Sequence, residues 1–128
     1  MRFLLDTHLL IWYGYFPERL SPDACILIED QNNDLIFSIA SIWEAAIKYD
    51  LGRKGFERGP SILRREFLRN GLGELPILGE HAEAVSGLQP IHKDPFDRIL
   101  IAQAMVEGVT LLTSDAVVAK YPGPIRLV

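Results

Sequence analysis

The fold is decided by residues 3–10, FLLDTHLL, where a short apolar run ends at an aspartate and a helical pattern begins. An apolar run of this length predicts a strand that is buried on both faces. Three further runs predict strands: LIF at 35–37, TLLT at 110–113 and IRLV at 125–128, and LPI at 75–77 predicts a weak strand or an extended link. Strands that alternate with helices predict an α/β fold with a central parallel sheet.

Capping residues and helix breakers delimit the predicted helices. Ser21-Pro22 is a helix start, and Gly52 and Gly108 are helix stops. The predicted helices are Thr7–Tyr13, Pro22–Asp30, one capped by Ser38 or Ser41 that runs to Leu51, Ser61–Arg69, Glu80–Leu88, and one that begins at Asp94-Pro95. The polar residues from Gln31 to Asp34 predict a turn.

Composition indicates a single globular domain over residues 1–128. The chain has 128 residues, of which 48% are hydrophobic, which argues against disorder. No apolar run approaches the roughly 20 residues that cross a bilayer, and Asp6 interrupts any signal-peptide core. Cys25 is the only cysteine, so no internal disulfide can form, and we expect a cytoplasmic protein without a membrane partner.

The charge is unevenly distributed. The net charge is −4, which is not typical of a nucleic-acid-binding protein. Residues 53–69 contain six basic and two acidic side chains, so this segment carries +4 and the rest of the chain −8. The segment is either a phosphate-binding surface or a solvated helix face.

Four acids occupy equivalent places in four distant segments. Asp6 and Asp115 follow predicted strands, and Glu44 and Asp97 are expected in the first turns of buried helices. Ligands bind at the carboxyl ends of the strands in open parallel sheets, so the four acids are expected to converge there. Such carboxylates repel one another unless a cation neutralises them, and oxygen ligands favour Mg²⁺ or Mn²⁺ over zinc.

Each acid also has a purely structural interpretation. Asp6 and Asp115 could cap the helices that follow them, Asp97 could belong to a capping arrangement with Asp94, and Glu44 could pair with Lys48 on an exposed face. The fourfold repetition of the placement favours the functional interpretation.

Four segments resemble the motifs of PIN domains, and most of all those of the VapC-type toxins. DTHLLIW at 6–12 resembles the opening motif, SIASIWEAAIK at 38–48 the segment with the second acid, HKDPFDRILIAQA at 92–104 the segment with the third, and LTSD at 112–115 the fourth. The four segments occur in the family's order and span almost the whole chain.

The resemblance implies a three-layer α/β/α fold and a nuclease site with one or two divalent cations, Mg²⁺ or Mn²⁺. Asp6, Glu44, Asp97 and Asp115 match the family's catalytic and metal-binding acids. Thr7 and Thr113 lie beside two of them, and Thr113 could bond a carboxylate or a metal-bound water. Arg98 could reach a phosphate or hold Asp97 or Glu44.

The function that the resemblance implies is a metal-dependent endoribonuclease that acts as the toxin of a toxin–antitoxin pair and hydrolyses RNA by metal-activated water. The expected partners are RNA, a cognate antitoxin protein and a second copy of the chain. The alternatives are a PIN nuclease of RNA maturation or decay without an antitoxin, and an inactive, metal-stabilised binding module. A phosphatase is disfavoured because no Asp-x-Asp motif or phosphate loop is present.

The aromatic and imidazole side chains receive structural interpretations. We expect the histidines to be hydrogen-bonded, and Trp12, Tyr13, Trp43 and Phe96 to lie in the core or at a dimer interface rather than to stack on bases.

Overall fold

A computed structural model describes all of residues 1–128 and contains one five-stranded sheet. The strands are β1 (Arg2–Leu5), β2 (Asp34–Ser38), β3 (Gly73–Leu75), β4 (Thr110–Thr113) and β5 (Ile125–Leu127). Their order across the sheet is β3-β2-β1-β4-β5, and every neighbouring pair is parallel. The predicted parallel sheet is therefore confirmed.

Six helices connect the strands. They are α1 (Thr7–Tyr15), α2 (Pro22–Glu29), α3 (Ile39–Asp50), α4 (Pro60–Arg69), α5 (Gly79–Val85) and α6 (Pro95–Glu107). Two short 3-10 turns lie at Pro17–Arg19 and Val118–Lys120. None of these helices is long and apolar enough to cross a membrane.

Alternate residues of the strands enter two separate cores, which gives the fold its three layers. Phe3 and Leu5 of β1 pack with Leu9 and Leu10 of α1 and with Phe67 of α4. On the other face Leu4 of β1 packs with Leu111 of β4 and with Leu100, Ile101 and Ala104 of α6. The sheet is thus covered on both faces, and the predicted α/β/α architecture is confirmed.

The boundaries of some elements differ from the prediction for local reasons. β2 begins at Asp34, which was predicted in a turn, because its amide donates to the Met1 carbonyl and extends the pairing with β1. β3 is Gly73–Leu75 rather than 75–77, and a Cβ on Gly73 would lie 3.0 Å from Ile36 Cγ2. The side chain of Ile36 thus leaves little space for a Cβ at the first residue of this strand, and glycine is a residue that strand patterns score poorly.

The order in which the chain adds strands to the sheet switches sides between β1 and β4, although the two strands are parallel. β1 connects to β2 on one side, and β4 connects to β5 on the other. The carboxyl ends of two such strands border a crevice, which is where open α/β sheets bind their ligands. Asp6 and Asp115 follow these two strands.

Candidate functional site

Asp6 lies at the junction of β1 and α1 and is 4% exposed. One carboxylate oxygen, Oδ1, accepts from the Leu9 amide at 2.8 Å and caps α1. The other, Oδ2, accepts from the Thr113 hydroxyl at 2.6 Å. Burial raises the pKa of Asp6 above its usual value, although these hydrogen bonds and the nearby His8 oppose the rise.

Glu44 is buried in α3 at 3% exposure. Its place is the second turn rather than the predicted first turn, because Ser38 caps α3 and the helix begins at Ile39. Oε2 accepts from Lys48 Nζ at 2.6 Å, whereas Oε1 is buried without any hydrogen-bond partner. The pairing with Lys48 is present, but on a buried carboxylate and not on the exposed face that the structural interpretation assumed.

Asp97 lies in the first turn of α6, with 20% of its side chain exposed. His92 Nε2 contacts its Oδ2 at 2.9 Å, and Asp94 caps the helix by accepting from the amides of Phe96 and Asp97. Burial raises the pKa of Asp97 to about 7, and the negative charges of Asp94, Glu44 and Asp6 add to this effect. Three acids from three elements therefore lie within electrostatic reach of Asp97.

Asp115 is joined to this group through Thr113. The Thr113 hydroxyl accepts from the Asp115 amide at 3.0 Å while it donates to Asp6. Asp115 Oδ1 accepts from the Val117 amide at 2.8 Å, which fixes the turn after β4. The structure therefore brings the sites of all four predicted acids to one end of the sheet, and it gives Thr113 a direct bond to a carboxylate.

Thr7 and Arg98 have other contacts. The Thr7 hydroxyl donates to Ser41 Oγ at 2.9 Å and ties α1 to α3 within the core. The Arg98 guanidinium donates to the Gln89 carbonyl and to the Tyr121 hydroxyl, both at 2.9 Å. Its hydrogen bonds therefore hold the loop before α6 and not the carboxylates of Asp97 and Glu44.

Two side chains contact the acids in a way that the sequence did not predict, since the Lys48 pair was considered only on an exposed face and His92 was given no contact with Asp97. Lys48 contacts Glu44, and His92 contacts Asp97. The oxygens of Asp94 and Asp97 and a ring nitrogen of His92 lie within 4.8 Å of one another, so they could share a cation. The sequence signal was the spacing His92-x-Asp94-x-x-Asp97, which places all three at the start of one helix.

The basic segment does not form one uniform face. The Arg64 guanidinium makes two hydrogen bonds to the Glu74 carboxylate, and Arg58 stacks on the Tyr15 ring at 4.1 Å. Arg53 and Lys54 are exposed, and Lys54 borders a cleft that His8 and Trp12 also line. The cations that remain free for phosphate therefore lie in the loop before α4 as well as on that helix.

The aromatic residues divide between core and surface. Trp12 and Tyr13 are half-buried against the first core. Trp43 is 59% exposed and packs edge-on against Phe96 at 5.1 Å between ring centroids, beside an apolar cleft of the surface.

The whole chain is similar in fold to known structures. VapBC2 from Rickettsia felis, crystallised with a promoter DNA fragment, matches at TM-score 0.74 and 15% identity over 100% of this chain and 99% of its own. A toxin–antitoxin complex from Klebsiella pneumoniae matches at 0.63 and 18% over 96% and 94%. VapBC-1 from nontypeable Haemophilus influenzae matches at 0.58 and 18% over 99% and 98%.

The sequence comparisons identify the family. No curated protein matches the chain significantly by sequence. The family model of the PIN domain, in contrast, matches residues 3–124, which include all four acids and, apart from Arg2, the strands β1 to β4 but not β5. The chain belongs to the PIN-domain family.

Proposed function

We propose that this protein is an endoribonuclease that depends on Mg²⁺ or Mn²⁺, and that Asp6, Glu44, Asp97 and Asp115 form its catalytic, metal-binding site. PIN domains are nucleases, and PIN nucleases generally use divalent metal. The observation that carries the proposal is the position of Asp97, whose pKa rises to about 7 because it is buried near other acids. Ionised carboxylates that lie close together repel one another and so destabilise the fold, unless a cation neutralises their charge.

The donor set fits a hard divalent cation. All four side chains offer oxygen, and no thiolate lies with them, which suits Mg²⁺ or Mn²⁺ rather than zinc. Glu44 Oε1 is buried and has no partner, so one ligand oxygen is available without breaking any hydrogen bond. A bound divalent ion supplies an activated water at neutral pH and stabilises charge on the scissile phosphate.

The residues of the chain orient this chemistry. Thr113 fixes Asp6 by donating to Oδ2, and the same hydroxyl accepts from the Asp115 amide and so positions the Asp115 backbone. His92 fixes Oδ2 of Asp97. Carboxylates held in this way keep their positions when a substrate binds, which is the pre-organisation that a catalytic site needs.

We further propose that the nuclease is a toxin which an antitoxin protein neutralises, and that it forms a homodimer. Support comes from the structures of similar fold, which are VapBC and toxin–antitoxin complexes. The alternative is a PIN nuclease of RNA maturation or decay that needs no inhibitor. An inactive binding module is disfavoured because it would have no use for all four acids.

The nuclease is tested by RNA cleavage with chelator-stripped protein. Asp6→Asn, Glu44→Gln, Asp97→Asn and Asp115→Asn should each reduce cleavage strongly, and Mg²⁺ or Mn²⁺ should restore activity to the stripped wild type. Asp34→Asn is the matched control, because Asp34 is exposed at the amino end of β2, opposite the site. Undiminished cleavage in excess chelator, or by the Asp6 and Asp97 variants, would refute the assignment.

The toxin is tested separately, by inducing the gene in a host that lacks a cognate partner. Wild type should arrest growth and Asp6→Asn should not, with both proteins shown to be soluble and folded. Equal growth of the two strains, together with active cleavage in vitro, would favour the maturation nuclease. Light scattering of the purified protein measures whether it is a dimer.

A further inference from the structure

The two carboxylate oxygens of Glu44 have different surroundings. Oε2 is bonded to Lys48 Nζ at 2.6 Å, and Oε1 is buried without a partner. The two residues are four apart in α3, so the helix itself sets their separation. Oε1 is therefore the oxygen that carries no hydrogen bond, while a cation on Oε2 would lie next to the positive charge of Lys48.

Lys48 is itself held in place. Its Nζ lies 5.0 Å from the centroid of the Phe56 ring, and Phe56 is buried in the first core. Of the hydrogen bonds that the four acids accept, only the one from Lys48 to Glu44 comes from a lysine or arginine side chain. Its side chain is 27% exposed, so Lys48 lies at the border between the acids and solvent.

We infer that Lys48 makes Glu44 a one-oxygen ligand and thereby favours Mg²⁺ over Ca²⁺ at the acid site. This inference rests on the metal site proposed above. Lys48 is a positioning residue, since it acts on the cation through Glu44.

The selectivity follows from the needs of the two ions. Ca²⁺ takes six to eight oxygens and often binds a carboxylate through both of its oxygens, whereas Mg²⁺ demands near-octahedral geometry and binds through few carboxylates. Binding through both oxygens of Glu44 would place Ca²⁺ on the same oxygen, Oε2, as the ammonium group of Lys48, and the two positive charges repel each other. Mg²⁺ loses nothing, because Oε1 alone can serve it.

The ratio of the two affinities isolates this effect from simple charge. Removal of a lysine strengthens the attraction of any divalent cation, and Mg²⁺ and Ca²⁺ carry the same charge, so this change cancels in the ratio. What remains is the number of Glu44 oxygens that each ion can use.

The experiment measures dissociation constants of Mg²⁺ and Ca²⁺ by calorimetric titration of the chelator-stripped full chain. Lys48→Met, which removes the donor, should raise the affinity for Ca²⁺ relative to that for Mg²⁺ by about tenfold. This is the lower end of the change in metal affinity that follows the loss of a ligand's hydrogen-bond partner. Lys48→Gln keeps an N–H donor without the charge and should stay within about twofold of wild type. Lys54→Met removes an exposed charge that contacts none of the acids and should leave the ratio unchanged.

The outcomes separate this inference from the proposed function. An unchanged ratio in Lys48→Met, with both ions still bound, would overturn the inference and leave the metal site intact. Absence of binding of either ion to the wild type would overturn both. A shift of equal size in Lys54→Met would show that only charge is involved, and would also overturn the inference.

A measurement on the wild type covers the case in which Lys48→Met does not fold. The ammonium group of Lys48 should give a protected signal in ¹H–¹⁵N spectra of lysine side chains, assigned with Lys48→Gln. That signal should persist when Mg²⁺ saturates the site. Its loss on addition of Mg²⁺ would show that the ion displaces Lys48 from Glu44, and the inference would be wrong.

Discussion

Replacing Asp97 by asparagine should stabilise the metal-free protein above neutral pH. In the folded chain the pKa of Asp97 rises from 3.8 to about 7, because burial and the nearby acids disfavour its charged form. Between these two values the folded state holds a proton that the unfolded state has released. Wild-type stability therefore falls as pH rises from about 4 to about 7, and the variant does not incur this loss.

The size of the effect follows from the shift. At about 1.4 kcal/mol per pKa unit, a rise from 3.8 to about 7 corresponds to a ceiling of about 4 kcal/mol. A fifth of the side chain is exposed, so solvent screens part of this, and the variant weakens the contact with His92. A net gain of about 2 kcal/mol remains, which corresponds to a rise in Tm of roughly 5–10 °C for a chain of this size.

The assay is thermal or urea unfolding of wild type and Asp97→Asn in chelator from pH 4 to pH 8. The difference in stability between Asp97→Asn and wild type should be near zero at pH 4 and reach its full value above pH 7. Addition of Mg²⁺ should reverse its sign. Ion at about 100 times its dissociation constant stabilises the wild type by about 2.7 kcal/mol, whereas the variant has lost a ligand. Asp34→Asn, an exposed acid far from the site, should show no such gap. A variant less stable than wild type at pH 8 in chelator would refute the reasoning.

Two other perturbations test the hydrogen bonds and charges around the site. Thr113→Val keeps the shape of the side chain but removes the donor to buried Asp6, so the free energy of unfolding should fall by about 1–3 kcal/mol in urea titrations; a change below about 0.5 kcal/mol would contradict this. Arg53 and Lys54, changed together to Gln, should flatten the salt dependence of RNA binding by about 1.5 units of log–log slope, measured with a catalytically inactive variant. Arg64→Gln should change the slope less per charge removed, because Glu74 already neutralises Arg64, and an equal change per charge in both variants would show that this pairing is irrelevant.

The sequence predicted the sheet well because the buried strands carry a strong pattern. Phe3-Leu4-Leu5 and Leu111-Leu112 are apolar on both faces, as strands between two helical layers must be. The edge strand β3 was misplaced by two residues. It begins at Gly73, which pairs with Ile36 on the neighbouring strand, and such a pairing between distant residues leaves no trace in a local pattern.

The places of the four proposed acids in the fold could be predicted from the sequence, and so could the bond of Thr113 to a carboxylate, whereas the contact of His92 with Asp97 could not. Strand ends place Asp6 and Asp115, and the motifs place Glu44 and Asp97. The contact of Lys48 with Glu44 was considered only as a surface pair, because helical spacing gives the pairing but not the burial of the helix face. The bonds of Arg98 to the Gln89 carbonyl and to Tyr121 depend on how the loop before α6 folds back, and spacing says nothing of that.

The structural and functional interpretations of the acids are compatible, since Glu44, Asp97 and Asp115 each bond within the fold through only one oxygen, whereas both oxygens of Asp6 are bonded. Asp6 does cap α1 through Oδ1, and Asp115 bonds the Val117 amide through Oδ1. Glu44 does pair with Lys48, but only through Oε2. A bond within the fold fixes the direction of the carboxylate, and a fixed carboxylate loses less entropy when it binds an ion. The caps and ion pairs of the structural interpretation therefore hold these carboxylates in place, which is what the proposed metal site would need.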